Sequence, residues 1–355
     1  MAETGRKAFV TALVIVGVVV FALALWKLRL VVALLFAGFV VAAAIRPGID
    51  ALQRRRVPRP AGLAVHYLVF AGLITLTLWF AVPRALNQVT SAITNLPETR
   101  NAIGEEAKQS SGIKQEVLQS LQRRLKEVPS GRTLFTTLKE IGMTAFEVGI
   151  GIFFVFAVAG YWIFEREKAM NLVAELSPRS KRKVVRDTWV LIDLKLGAYV
   201  RGVALIVLIV ATTLSLLFWA IGLPYWLLIG CFAGFVEIVP VIGPLAAAGL
   251  AVGVGLTESL HLAFLALIVV VAVRLTQDYL VNPRVMGSAV GMSPLVVLFS
   301  ASAVVFLFGG FAVLLAVPIA AVLVTLVDVI VRNKNPADEE TPTVLFPATK
   351  EAERS

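Results

Sequence analysis

The chain has 355 residues, with 33 Lys or Arg against 23 Asp or Glu and a formal net charge of +10. It is 58% hydrophobic and 16% charged, where an average soluble domain has roughly 45–50% and 25%. This balance excludes an ordinary soluble globule, and the single cysteine, Cys231, excludes a disulfide framework or thiolate metal site within one chain.

Uncharged stretches run over 8–26, 30–45, 60–83, 148–164, 202–236, 238–257, 259–273 and 285–327. A spanning helix needs roughly 17–25 apolar residues, so the expected fold is an all-α polytopic membrane protein. The basic residues sit in short loops between these stretches, which reads as positive-inside topology rather than nucleic-acid binding. The lipid bilayer is therefore the first partner.

Taken in chain order, Arg6 and Lys7 precede an apolar run that outlasts a signal-peptide core of about 7–15 residues. It reads as two retained helices with a tight turn at Lys27–Arg29. The following loop carries Arg46, Arg54, Arg55, Arg56 and Arg59 against Asp50, and so is placed in the cytoplasm with the N-terminus. A third span, about 61–82, completes an N-terminal transmembrane region over 1–83.

The longest polar stretch, 84–140, is expected outside the cytoplasm. Ile113, Val117, Leu118, Leu121, Leu125 and Val128 recur there at helical spacing, while Pro97, Gly112, Pro129 and Gly131 divide it. It reads as a lid or a homo-oligomer contact. A fourth span, about 141–164, returns to the cytoplasm.

Residues 177–201 carry Val185, Trp189, Ile192, Leu196 and Tyr199 as a stripe. Lys181, Arg182, Lys183, Arg186, Asp187, Asp193 and Lys195 surround it, the pattern of an amphipathic helix at phospholipid headgroups. The next span ends at Gly222-Leu-Pro224.

Between Gly202 and Thr257 the sole charge is Glu237, followed by Pro240, Gly243 and Pro244. Prolines break helices, and broken backbone at membrane depth must be covered by protein or line a cavity. Residues 224–256 are therefore read as a re-entrant hairpin, because only that topology returns Arg274, Arg284, Arg332 and Lys334 to the cytoplasm. The transport core would run over 141–331. An intramembrane carboxylate costs a few kcal/mol, so Glu237 either serves a proton, cation or substrate, or pairs with Arg274 or Arg284, or caps the break.

A second polar group, Arg274, Gln277, Asp278, Asn282, Pro283 and Arg284, reads as a gate or a salt-bridged loop. Gly230/Gly234, Gly249/Gly253 and Gly287/Gly291 have the spacing of close helix contacts. The last apolar stretch splits at Gly309-Gly310, and 332–355 reads as a disordered cytoplasmic tail. No zinc-protease, nucleophile-elbow or nucleotide-binding motif is present, so neither an enzyme nor a cofactor is expected.

Tyr199-x-Arg201-Gly202, Gly222-Leu-Pro224-Tyr225, Pro240-Val-Ile-Gly243-Pro244, Asn282-Pro283-Arg284-Val-Met-Gly287, Gly291-Met-Ser-Pro294-Leu and Ala316-Val-Pro318 occur in that order. With the flanking spans over 8–331, they resemble the autoinducer-2 exporter (AI-2E) family of permeases. The resemblance implies a bacterial inner-membrane protein with about eight transmembrane segments. It further implies export of a small polar or signalling solute, or sodium/proton antiport, with H+ or Na+ as partner. Val241 departs from the family, which often has an aromatic after the first proline. A membrane scaffold acting through 84–140 is the reading from another class.

Overall fold

A computed structural model describes residues 2–73, 131–239, 242–282 and 294–339, together with 75, 76, 79 and 83. Among these residues the structure is helical, with turns and no strand. The helices are α1 (Ala2–Lys27), α2 (Arg29–Arg54), α3 (59–73), α4 (Gly131–Leu176), α5 (Arg182–Ala220), α6 (Trp226–Val236), α7 (Ile242–Glu258), α8 (Leu260–Thr276), α9 (Pro294–Phe308) and α10 (Ala316–Ile330). Five described stretches are long and apolar enough to cross a membrane: Arg29–Arg54, Phe146–Leu176, Arg179–Ala220, Leu260–Val281 and Ala312–Ile330. Most of the polar region, over 84–130, lies outside the described residues, as do Pro240, Pro283 and Arg284.

Two elements differ from the sequence expectation in length. α2 continues through Arg46 and Pro47 to Arg54, where a loop was expected. A proline removes one backbone donor, but Ile49 beyond it is 1% exposed, and its burial rewards continuing the helix. α4 extends past Phe164 to Leu176. Its charged end at Glu165–Lys168 is not a stop signal, since Glu165 and Lys168 form an i,i+3 pair at 2.9 Å that suits a helix.

The chain forms two compact units. The first comprises Met1–Arg46, Gly151–Gly197 and Val290–Thr341, and the second Pro47–Ile150, Ala198–Ala289 and Pro342–Ser355. In the first, Val304 of α9 packs with Ala312 and Ala316, after the chain turns at Gly309 with φ +92°. Residues 331–339 fold back there: Asp328 takes Arg332 Nη1 at 2.9 Å and Lys334 Nζ at 2.8 Å.

In the second unit, small residues let helices approach closely. A Cβ on Gly230 or Gly234 of α6 would strike the backbone of α5 near Ser215, or Ala211 and Val207. Gly255 of α7 lies likewise against Ala263 of α8. By contrast Gly249 and Gly253 face open space, so that spacing does not mark a helix contact within the described residues. The α5 end is closed by hydrogen bonds from Leu223 N to Phe218 O (2.9 Å) and Gly222 N to Trp219 O (3.0 Å). Gly222 supplies the positive φ of +73° that this cap requires, and the flanking Phe218 and Leu223 are buried together.

Candidate functional site

The site lies in the second unit, where α6 stops eleven residues after it starts. Past Val236 the helical ladder shortens: Glu237 N bonds Ala233 O at 3.2 Å, and Val239 N bonds Val236 O at 2.9 Å. α7 then begins at Ile242, with Pro244 in its first turn, where a missing N–H costs nothing. Gly243 is required by contact, because a Cβ there would collide with the Val236 carbonyl at the end of α6. The described residues on either side of positions 240 and 241 thus approach closely, and Glu237 lies at the α6 end of the break.

Glu237 is mostly buried, with a side-chain exposure of 12%. Its Oε1 accepts from Arg274 Nη1 at 2.9 Å and from Gln277 Nε2 at 2.7 Å. Both donors come from the C-terminal end of α8 and the turn that follows it. Gln277–Val281 form a π-helical turn, a local widening often found where side chains must be re-aimed. Here Gln277 is buried against Glu237, while Asp278 reaches back to Arg274 Nε at 2.9 Å. Asn282 Nδ2 in turn donates to Asp278 Oδ1 at 3.1 Å.

The described part of the cluster therefore holds two carboxylates and one guanidinium. Arg274 is divided between Glu237 and Asp278 through different nitrogens. Losing either carboxylate's charge would leave the arginine to the other, which is the elementary requirement for linking a bound ion to a change in side-chain position.

Six residues expected to matter come together: Glu237, Gly243, Arg274, Gln277, Asp278 and Asn282, with Pro244 in the first turn of α7. The pairing of Glu237 with Arg274 was one of two expectations. Gln277 as its second partner is set by the π turn, which residue spacing alone does not reveal.

The sequence reading missed a polar network in the first unit. Asp193 pairs with Arg166 and lies 3.6 Å from Arg46 Nη1. Lys195 donates to the fully buried Thr325 at 3.2 Å and pairs with Glu339 at 3.0 Å. Asp193 and Lys195 flank the apolar stripe of a helix whose basic residues are expected at headgroups, but both meet protein partners. The available signal was their position on a helix that continues into an apolar span.

A sequence model described as AI-2E family transporter matches residues 13–332. Three curated relatives share the name Putative transport protein. YrrI of Bacillus subtilis (strain 168) is 27% identical over 289 residues, covering 78% of this chain and 80% of its own. YueF of the same strain is 27% identical over 289 residues, covering 77% of each chain. MT0215 of Mycobacterium tuberculosis (strain CDC 1551 / Oshkosh) is 24% identical over 326 residues, covering 88% of this chain and 86% of its own. Several spanning-length apolar helices and a match over nearly the whole chain agree: this is a multi-pass membrane protein that belongs to the AI-2E transporter family.

Proposed function

We propose that the chain is a secondary transporter that exports a small polar solute, with Glu237 as its proton- or cation-binding group. The observation that carries this is the Glu237 carboxylate, mostly buried in a break between two apolar helices and held by Arg274 and Gln277. Intramembrane carboxylates in discontinuous helices are the usual coupling elements of such proteins. α6, at 11 residues, is too short for a complete crossing, α7, at 17, is at the lower limit of one, and the two pack on each other, which supports the re-entrant hairpin over 224–256. With that hairpin the chain has about eight transmembrane segments, and both termini lie in the cytoplasm of a bacterial cell.

The second reading, sodium/proton antiport, is favoured by the sharing of one Arg274 between Glu237 and Asp278. A proton or sodium ion that satisfies one carboxylate releases the arginine to the other. Purified protein in liposomes, with a pH-sensitive dye inside, distinguishes these readings. Sodium-dependent proton flux that disappears in Glu237→Gln identifies the antiporter. Solute efflux that persists unchanged in the same variant removes Glu237 from the coupling role. Comparing solutes exported by cells with and without the gene then identifies the cargo.

A further inference from the structure

In the first unit, α2, α4 and α5 bring a charged cluster beside an aromatic wall. Asp193 accepts from Arg166 Nε and lies 3.6 Å from Arg46 Nη1. Trp162, one turn before Arg166, stacks with Trp189, one turn before Asp193, at a ring separation of 6.0 Å. Phe39 lies against Trp162 at 4.2 Å. The three rings are only half-buried, so they offer an apolar face rather than a closed core.

Arg166 is 5% exposed, yet its Nη2 has no hydrogen-bond partner among the described residues. A guanidinium is a rigid fork of five donors, and Asp193 uses only the Nε edge. Buried donors of this kind are normally matched by an acceptor. The remaining edge has no acceptor among the described residues. Around the α4–α5 turn, Arg179, Lys181, Lys183 and Arg186 are exposed, which raises the local concentration of anions.

We propose that this junction binds a phosphate-bearing amphiphile. Its phosphate oxygens would meet Arg166 Nη2 and the Arg46 side, and its apolar body would lie along Phe39, Trp162 and Trp189. Phosphate suits the site because several oxygens can bridge two guanidinium groups in fork geometry, whereas Asp193 already fills the carboxylate position. The source is either a phospholipid headgroup from the bilayer or a free phosphate ester.

The test uses the full chain, purified in detergent and stripped of lipid. Native mass spectrometry is recorded with phosphatidylglycerol and with diacylglycerol, the same lipid body without phosphate. Thermal unfolding is measured in parallel with inorganic phosphate. The key variant is Arg166→Gln with Asp193→Asn, which removes the fork without stranding a carboxylate. Phosphatidylglycerol is expected to be retained over diacylglycerol, and the double variant to weaken that retention about tenfold, as for loss of a charge-assisted contact. Stabilisation by inorganic phosphate that vanishes in the variant, without selective lipid retention, assigns the site to the free ester. If wild type and variant respond alike to both probes, the proposal is overturned, and water alone completes Arg166.

Discussion

Glu237 and Gln277, forty positions apart in sequence, meet at 2.7 Å, and the same Glu237 oxygen also receives Arg274. One carboxylate oxygen thus ties the end of α6 to the end of α8. Its length is ordinary for a bond to a charged carboxylate, and its donor stands on the π-helical turn.

This arrangement predicts a steep cost for removing one member. Arg274→Met leaves Glu237 with only an amide partner; because Arg274 is itself 37% exposed, the loss should be about 1–3 kcal/mol, below that of a fully buried pair. The paired change Glu237→Gln with Arg274→Met should recover most of that loss. Thermal unfolding of the four proteins in detergent gives the coupling directly, and strictly additive effects would contradict it.

Gly243 and Gly253 provide a matched comparison on one helix. Gly243→Ala drives a methyl group into the Val236 carbonyl and should cost about 1–3 kcal/mol, as for an overpacked position. Gly253→Ala enters open space and should be neutral or stabilising by up to about 1 kcal/mol, from helix propensity. Melting curves that rank the two the other way would show that the break is not close-packed.

Lys195 should matter more than its ion-pair partner. Lys195→Met removes a bond to buried Thr325 as well as the Glu339 pair and should cost about 1–3 kcal/mol. Glu339 is about a third exposed, so Glu339→Gln should cost less than about 1 kcal/mol. Equal losses would mean that the folded-back segment, rather than Thr325, is what Lys195 supports.

Ser259 separates α7 from α8 and caps the latter, its hydroxyl accepting from Leu262 N at 3.1 Å. Ser259→Ala should lower stability by about 1 kcal/mol, and Ser259→Asn should restore most of it. A neutral alanine variant would indicate that packing alone fixes this corner.

What could be read from sequence was local. The apolar runs, the division at Lys27–Arg29, the split at Gly309 and the break after Glu237 all follow from single charges, glycines or prolines inside long hydrophobic stretches. What could not be read was which residues meet at a distance. Arg166 and Asp193 each look like ordinary charges on amphipathic helices, and nothing in spacing pairs them. Thr325, fully buried and 130 positions from Lys195, looks like an incidental hydroxyl in a span. Pro47 misled in the other direction, because a local breaker was overridden by the burial of Ile49. The Gly249/Gly253 pair had the same spacing as Gly230/Gly234, and only the fold distinguishes an occupied face from an open one.

The stacked pair Trp162 and Trp189, with planes 24° apart at 6.0 Å, has a practical use beyond packing. Two indoles this close couple their strong short-wavelength transitions, so the pair should add an exciton couplet to the far-ultraviolet circular dichroism that neither ring produces alone. α4 and α5 thereby carry a built-in optical gauge of their own separation. Replacing either Trp162 or Trp189 with phenylalanine should erase that couplet, and a cycle that slides one helix along the other should modulate it without any attached label.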